Sequence, residues 1–209
     1  MTFGQLAIRG VVGPLFAAHG AQKLFGWFDG HGIEGTGGFF ESLGLNPGKR
    51  HATAAGVAET AGGVMLTAGA LTPVATSALT GTMLTAIRKA HIANGPWVSN
   101  GGWEYNAVLV TVMTALADMG PGPLSVDAKR FPKLHGPGLA LASLAAGALG
   151  SYLATERFAQ SGGSQEGAFQ DAGDPATTDD AAPTDASHAG DGRFTAAPAT
   201  TDAATTQGI

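Results

Sequence analysis

His19, Gln22 and Lys23 lie at i, i+3 and i+4, so a helix through them carries an imidazole, an amide and an ammonium on one face. Arg88 and His91 repeat the three-residue spacing, and Glu104 and Tyr105 stand together after Gly101-Gly102-Trp103. Gathered in a water-poor setting, such donors could polarise and protonate a carbonyl, as in a quinone head group, or hold a small anion. Arg9 and Glu59 are isolated in long apolar stretches, where a charge costs on the order of 2.5–3.5 kcal/mol on insertion scales. Each therefore needs a partner, and an Arg9–Glu59 ion pair between two helices is expected.

The elements that must position these groups are five apolar segments. They run from about Phe3 to Phe25, His51 to Leu71, Val74 to Ala93, Trp103 to Met119 and Leu134 to Thr155. A bilayer core is crossed by about 20 mostly apolar residues in a helix, and these runs approach that length. They are rich in Ala, Gly and Thr rather than Leu, a composition that lets helix backbones pack closely where no hydrophobic drive separates helix from lipid. Thr72-Pro73 leaves almost no loop between the second and third segments and predicts an antiparallel hairpin. Residues 26–50 predict a glycine-rich loop with a short amphipathic helix around Phe39-Phe40-Glu41-Ser42-Leu43 at the membrane surface.

If the five helices alternate in direction, the ends of the first and third share a membrane face with the start of the fourth. His19, Gln22, Lys23, Arg88, His91, Glu104 and Tyr105 would then form one polar cluster. Arg9 lies about 15 Å below His19 at 1.5 Å per residue, which leaves Glu59 as its nearest partner in depth.

Composition agrees with a membrane protein. Only 13% of the 209 residues are charged, against roughly 25% in ordinary soluble domains. The absence of cysteine excludes disulfides, thiol relays, Cys-ligated zinc and iron–sulfur clusters. The net charge of −5 divides into a body, residues 1–153, with nine Lys/Arg and seven Asp/Glu, and a tail with two and nine. The body has no basic patch interleaved with aromatics, so nucleic acid is not an expected partner. From Glu156 onward Ala, Thr, Asp, Gly and Pro dominate, and an acidic disordered tail over 156–209 is expected. The first segment lacks a basic leading region and a small-residue cleavage site, so it reads as a retained helix rather than a secretory signal.

Two histidines on neighbouring helices can ligate haem iron, and His19 and His91 invite that comparison. Lys23 and Arg88 beside them instead suggest that an anion or a carbonyl is held, so haem is set aside and a quinone preferred. No metal site is expected.

The residues also carry a resemblance. Arg9, Pro14-Leu15-Phe16, His19-Gly20-Ala21-Gln22-Lys23-Leu24-Phe25-Gly26-Trp27-Phe28, Gly32-Ile33-Glu34-Gly35-Thr36 and Phe39-Phe40 look like the N-terminal signature of the DoxX family of small membrane proteins. Glu59 with Gly62-Gly63, Met83, Ala86-Ile87, His91, Asn94-Gly95 and Gly101-Gly102-Trp103-Glu104-Tyr105 follow in the family's order, over residues 1–127. The resemblance implies an all-α membrane bundle of four core transmembrane helices, to which this chain adds a fifth with its basic loop over 128–155. It also implies a link to membrane redox chemistry, since the family takes its name from a subunit of an archaeal thiosulfate:quinone oxidoreductase. By position, its characteristic polar residues fall on Arg9, His19, Gln22, Lys23, Glu59, His91, Glu104 and Tyr105.

The expected location is the plasma membrane, crossed several times. Lys129, Arg130 and Lys133 are the densest loop cations and favour a cytoplasmic N-terminus. The leading expectation is a membrane subunit of a redox assembly, with a redox protein or a second copy of the chain as partner, holding a quinone head group or small anion in the cluster. Its rivals are a non-enzymatic scaffold or assembly factor and a carrier of small molecules or protons.

Overall fold

The computed structural model describes residues 3–157, in which the chain forms helices and no strands. They are α1 (Phe3–Phe25), α2 (Gly32–Ser42), α3 (Gly48–Ala68), α4 (Thr72–Ala86), α5 (Glu104–Met119), α6 (Val126–Arg130) and α7 (Pro137–Tyr152). π-helical turns Ile87–His91 and Leu153–Arg157 extend α4 and α7. The five long helices fall on the five apolar segments. The tail expected over 156–209 lies outside the described residues from 158 onward, while Glu156 and Arg157 belong to the π turn after α7.

Glycines set the close contact between antiparallel α1 and α3. Gly13 and Gly20 on α1, seven residues apart, meet Gly63 and Gly56 on α3. A Cβ on Gly13 would lie 2.8 Å from the Gly63 carbonyl oxygen, and one on Gly20 would lie 2.6 Å from that of Gly56. Backbone approach of this kind is how helices gain packing contact without a hydrophobic drive. The core is completed by Phe16, Leu66, Ala75, Leu79, Met83, Met113 and Leu116.

The α3–α4 hairpin forms as expected. Gly69 takes the left-handed conformation after α3, φ +61°, and its N–H reaches the Leu66 carbonyl at 3.0 Å. Pro73 then opens α4, where its missing N–H costs nothing. The glycine-rich loop is shorter than expected, because α2 already starts at Gly32 and includes Gly35, Gly37 and Gly38. Tertiary packing overrides their low helix propensity, since Gly37 and Gly48 bring the α2 and α3 backbones together where no side chain would fit.

α7 lies parallel to α4. Ser143 Oγ donates to the Pro73 carbonyl at 3.0 Å, Thr85 Oγ1 to Ser151 Oγ at 2.9 Å, and Gly81 faces Gly147 between them. The fifth helix is therefore an integral layer of the bundle. One end of the bundle gathers the last turns of α1, α4 and α7 with the starts of α3 and α5, and is called the His19 end below. The other is the Arg9 end.

Candidate functional site

At the Arg9 end, α1 carries its buried guanidinium into a ring of backbone oxygens. Nε donates to the Leu66 carbonyl at 3.0 Å and Nη2 to Thr67 at 2.8 Å, both at the C-terminus of α3. Nη1 donates to Pro121 at 2.6 Å and Leu124 at 3.1 Å in the connection after α5. The last carbonyls of a helix lack intrahelical donors and carry the negative end of its dipole, so they suit a buried cation.

The expected Arg9–Glu59 pair is therefore not formed. Glu59 lies seven residues before Leu66, about 10 Å along α3, and in the antiparallel packing it sits near the level of Gly20, in the half of α1 that carries Lys23. Its partner is Lys23, whose Nζ is 2.5 Å from Glu59 Oε2, with the two side chains 23% and 6% exposed. Depth counted along each helix separately misjudged this, because α3 begins at Gly48 rather than near His51 and starts beyond the end of α1.

The seven residues expected to form one cluster separate into three groups. His19, exposed, lies one turn below Lys23, and Gln22 Nε2 donates to the Phe28 carbonyl at 3.0 Å, closing the turn after α1. Arg88 turns toward α7, where it reaches Thr155 Oγ1 and Glu156 Oε1, each at 3.0 Å, and lies over the Tyr152 ring at 5.9 Å. His91 Nδ1 is 2.7 Å from the Gly101 carbonyl oxygen, and Glu104 Oε1 accepts from the Val98 N–H at 2.7 Å. These last two bonds shape the 95–103 loop. Tyr105 is exposed. No hydrogen bond joins the three groups. Arg88 is drawn away because the end of α7 supplies a carboxylate, a hydroxyl and an aromatic face beside it.

Sequence reasoning missed Asp127. Its carboxylate, buried on α6, accepts from the Leu71 N–H (2.7 Å), the Thr72 N–H (2.8 Å) and the Thr72 hydroxyl (2.7 Å). It thus caps the N-terminus of α4, where a negative charge meets unpaired N–H groups and the positive end of the dipole. The only local signal is Ser125, whose Oγ caps α6 by accepting from the Ala128 N–H at 3.1 Å. Arg9 and Asp127 together tie the chain beyond α5 to the α3–α4 hairpin. Beside them lies a cavity of about 300 Å³ lined by Gln5, Asp127, Phe131 and His135 among others. Among the described residues, no group of three or more His, Asp or Glu is placed to hold a metal ion.

Residues 4–92 match the model of the DoxX family. That stretch is a DoxX-family domain. It comprises α1 to α4 with the π turn after α4, so the resemblance read over 1–127 is matched as far as the start of the 95–103 loop, and α5, α6 and α7 follow it. No curated protein and no solved structure matches the chain. DoxX is a family of membrane proteins, so the match supports a membrane location. Among the described residues one helical stretch, Pro137–Glu156, is long and apolar enough to span a bilayer by length and composition.

Proposed function

We propose that this DoxX chain is a multi-pass membrane scaffold subunit of a redox-linked assembly, in which buried ions bind helices to one another. The observation that carries the reading is Arg9. Four of its N–H groups are bonded to carbonyls of two separate chain segments, so the most deeply buried cation serves as a clamp. Buried Asp127 at the cap of α4 is engaged in the same way, and half-exposed Arg88 adds a weaker tie from the turn after α4 to the end of α7.

Helix lengths support several spans. α1 has 23 residues and α3 has 21, about 34 and 31 Å against a hydrocarbon core of roughly 30 Å. α4 with its π turn runs from Thr72 to His91, about 30 Å, and α5 is shorter at about 24 Å. α1 and α3 lose mean hydropathy to Arg9 and Glu59, which face inward, while Val11, Val64, Val74, Val108 and Leu141 are exposed on the outer surface. Large apolar side chains exposed on every long helix form the surface that lipid would cover.

The chain has no cysteine, so single introduced thiols test this cleanly. With Lys129, Arg130 and Lys133 inside, Ser99→Cys should react with an impermeant maleimide on intact cells and Lys129→Cys only after permeabilisation. Labelling of both from the same side would overturn the arrangement.

A second reading has its own observation. His19 is exposed on the α1 face one turn from the Lys23–Glu59 pair, a place where a quinone head group or small anion could be held by an imidazole and an ammonium.

A further inference from the structure

Lys49, Arg50, Thr53, Ala54, Val57 and Ala58 form a shallow, open strip on the outer face of α3. Their spacing makes two adjacent rows along about 14 Å of helix. Two cations stand at the helix start, and small or apolar side chains continue the strip toward the bundle's middle. Thr53 adds only its methyl, because its hydroxyl donates to the Lys49 carbonyl at 2.8 Å.

The cations are available. Lys49 Nζ is 2.7 Å from Glu34 Oε2, but the two side chains are 62% and 78% exposed, a pairing that solvent weakens. Arg50 is exposed, and the ion pairs among the described residues, Lys23–Glu59, Lys49–Glu34 and Arg88–Glu156, do not include it. Of the first backbone N–H groups of α3, that of Gly48 donates to Glu41 Oε1, and those of Arg50 and His51 donate to the Pro47 carbonyl. Recognition at this corner therefore falls mainly to the side chains.

The geometry points to a binding site for one anionic phospholipid, with the phosphate between Lys49 and Arg50 and an acyl chain lying along Ala54, Val57 and Ala58. The two halves match in order along the helix: cations at the level of head groups, then an apolar strip running toward the bilayer middle. A zwitterionic lipid brings its own cation to the same corner and so gains less from the pair. The site rests on α3 facing lipid, as proposed above.

The test is native mass spectrometry of the whole chain in detergent micelles with added phosphatidylglycerol or phosphatidylcholine. Phosphatidylglycerol should be retained as a one-to-one adduct under collision conditions that strip phosphatidylcholine, and excess inorganic phosphate should not displace it. The double variant Lys49→Gln, Arg50→Gln should lose about tenfold in apparent affinity, about the effect of one to two surface cations on anionic lipid. Ala58→Trp, which covers the apolar strip and keeps both cations, should also lose the adduct, whereas Lys129→Gln with Lys133→Gln at the other end should keep it. Equal retention of the two lipids by the wild-type chain, or an unchanged preference in the double variant, would overturn the site. Val64→Cys in liposomes separates the two claims. A thiol open to water would refute the lipid-facing placement of α3, and a shielded thiol without a lipid preference would refute the site alone.

Discussion

Replacing Arg9 by methionine keeps the length of the side chain and removes every donor. The Nε bond to Leu66 and the Nη1 bond to Pro121 are both buried; without them the Pro121 carbonyl would be left without partner or solvent, while that of Leu66 keeps only the Gly69 N–H. Hydrogen bonds from charged groups contribute about 1.5–3 kcal/mol each, so these two together amount to about 3–6 kcal/mol. The bonds to Thr67 and Leu124 are only partly buried, and water can replace them. Removing the charge also relieves its burial cost, which leaves a net loss of about 3 kcal/mol. For a chain of this size that corresponds to a fall of about 6–12 °C in Tm. The assay is thermal unfolding in detergent followed by circular dichroism. Arg9→Lys should fall in between, since one ammonium can serve α3 or the 121–124 segment but cannot fork to both. A double-mutant cycle then separates partners. Arg9→Met and Glu59→Gln should be additive within about 0.5 kcal/mol, because the groups are not in contact, while Lys23→Met and Glu59→Gln should couple by about 1 kcal/mol or more. An Arg9→Met shift below about 2 °C, or coupling of Arg9 to Glu59 as strong as that of Lys23, would refute the clamp.

Other outcomes follow from the same contacts. Gly63→Ala should destabilise by about 1–3 kcal/mol, since its Cβ would press on the Gly13 carbonyl and the Ala17 N–H. Gly10→Ala meets nothing within 4 Å and should be neutral or gain up to about 1 kcal/mol, so the two Tm values should move in opposite directions or differ plainly. Asp127→Ala should cost about 2–4 kcal/mol through the lost cap of α4, with Asp127→Asn milder, as read by the same melts. Glu156→Gln should cost under about 1 kcal/mol, because both partners of its bridge to Arg88 are more than a third exposed.

The five long helices, the α3–α4 hairpin and the need of Arg9 and Glu59 for partners were legible in the sequence, because run length, Thr72-Pro73 and isolated charges are local signals, while short α6 was not foreseen. Which partner each charge finds was not. That choice depends on how far α3 is shifted along α1, and the shift is set by the contacts of Gly13, Gly20, Gly56 and Gly63, whose seven-residue spacing is visible while its register is not. Arg9 takes backbone carbonyls, which every residue carries, so no sequence motif announces them. Asp127 was hidden for the same reason, its partners being mostly the N–H groups of residues 71 and 72. The single expected cluster failed because Arg88 finds Thr155 and Glu156 at the end of a helix beyond the matched family domain.

The most direct test of the scaffold account is the quinone content of the purified chain. Lipid extracts of the wild type and of His19→Ala, Lys23→Met and His91→Ala, each shown to be folded, would be analysed by mass spectrometry, with visible spectra before and after dithionite. The account predicts featureless spectra and no stoichiometric quinone in any of the four. A quinone held one-to-one by the wild type and lost in His19→Ala or Lys23→Met would contradict it and make the face beside the Lys23–Glu59 pair the working site of the protein.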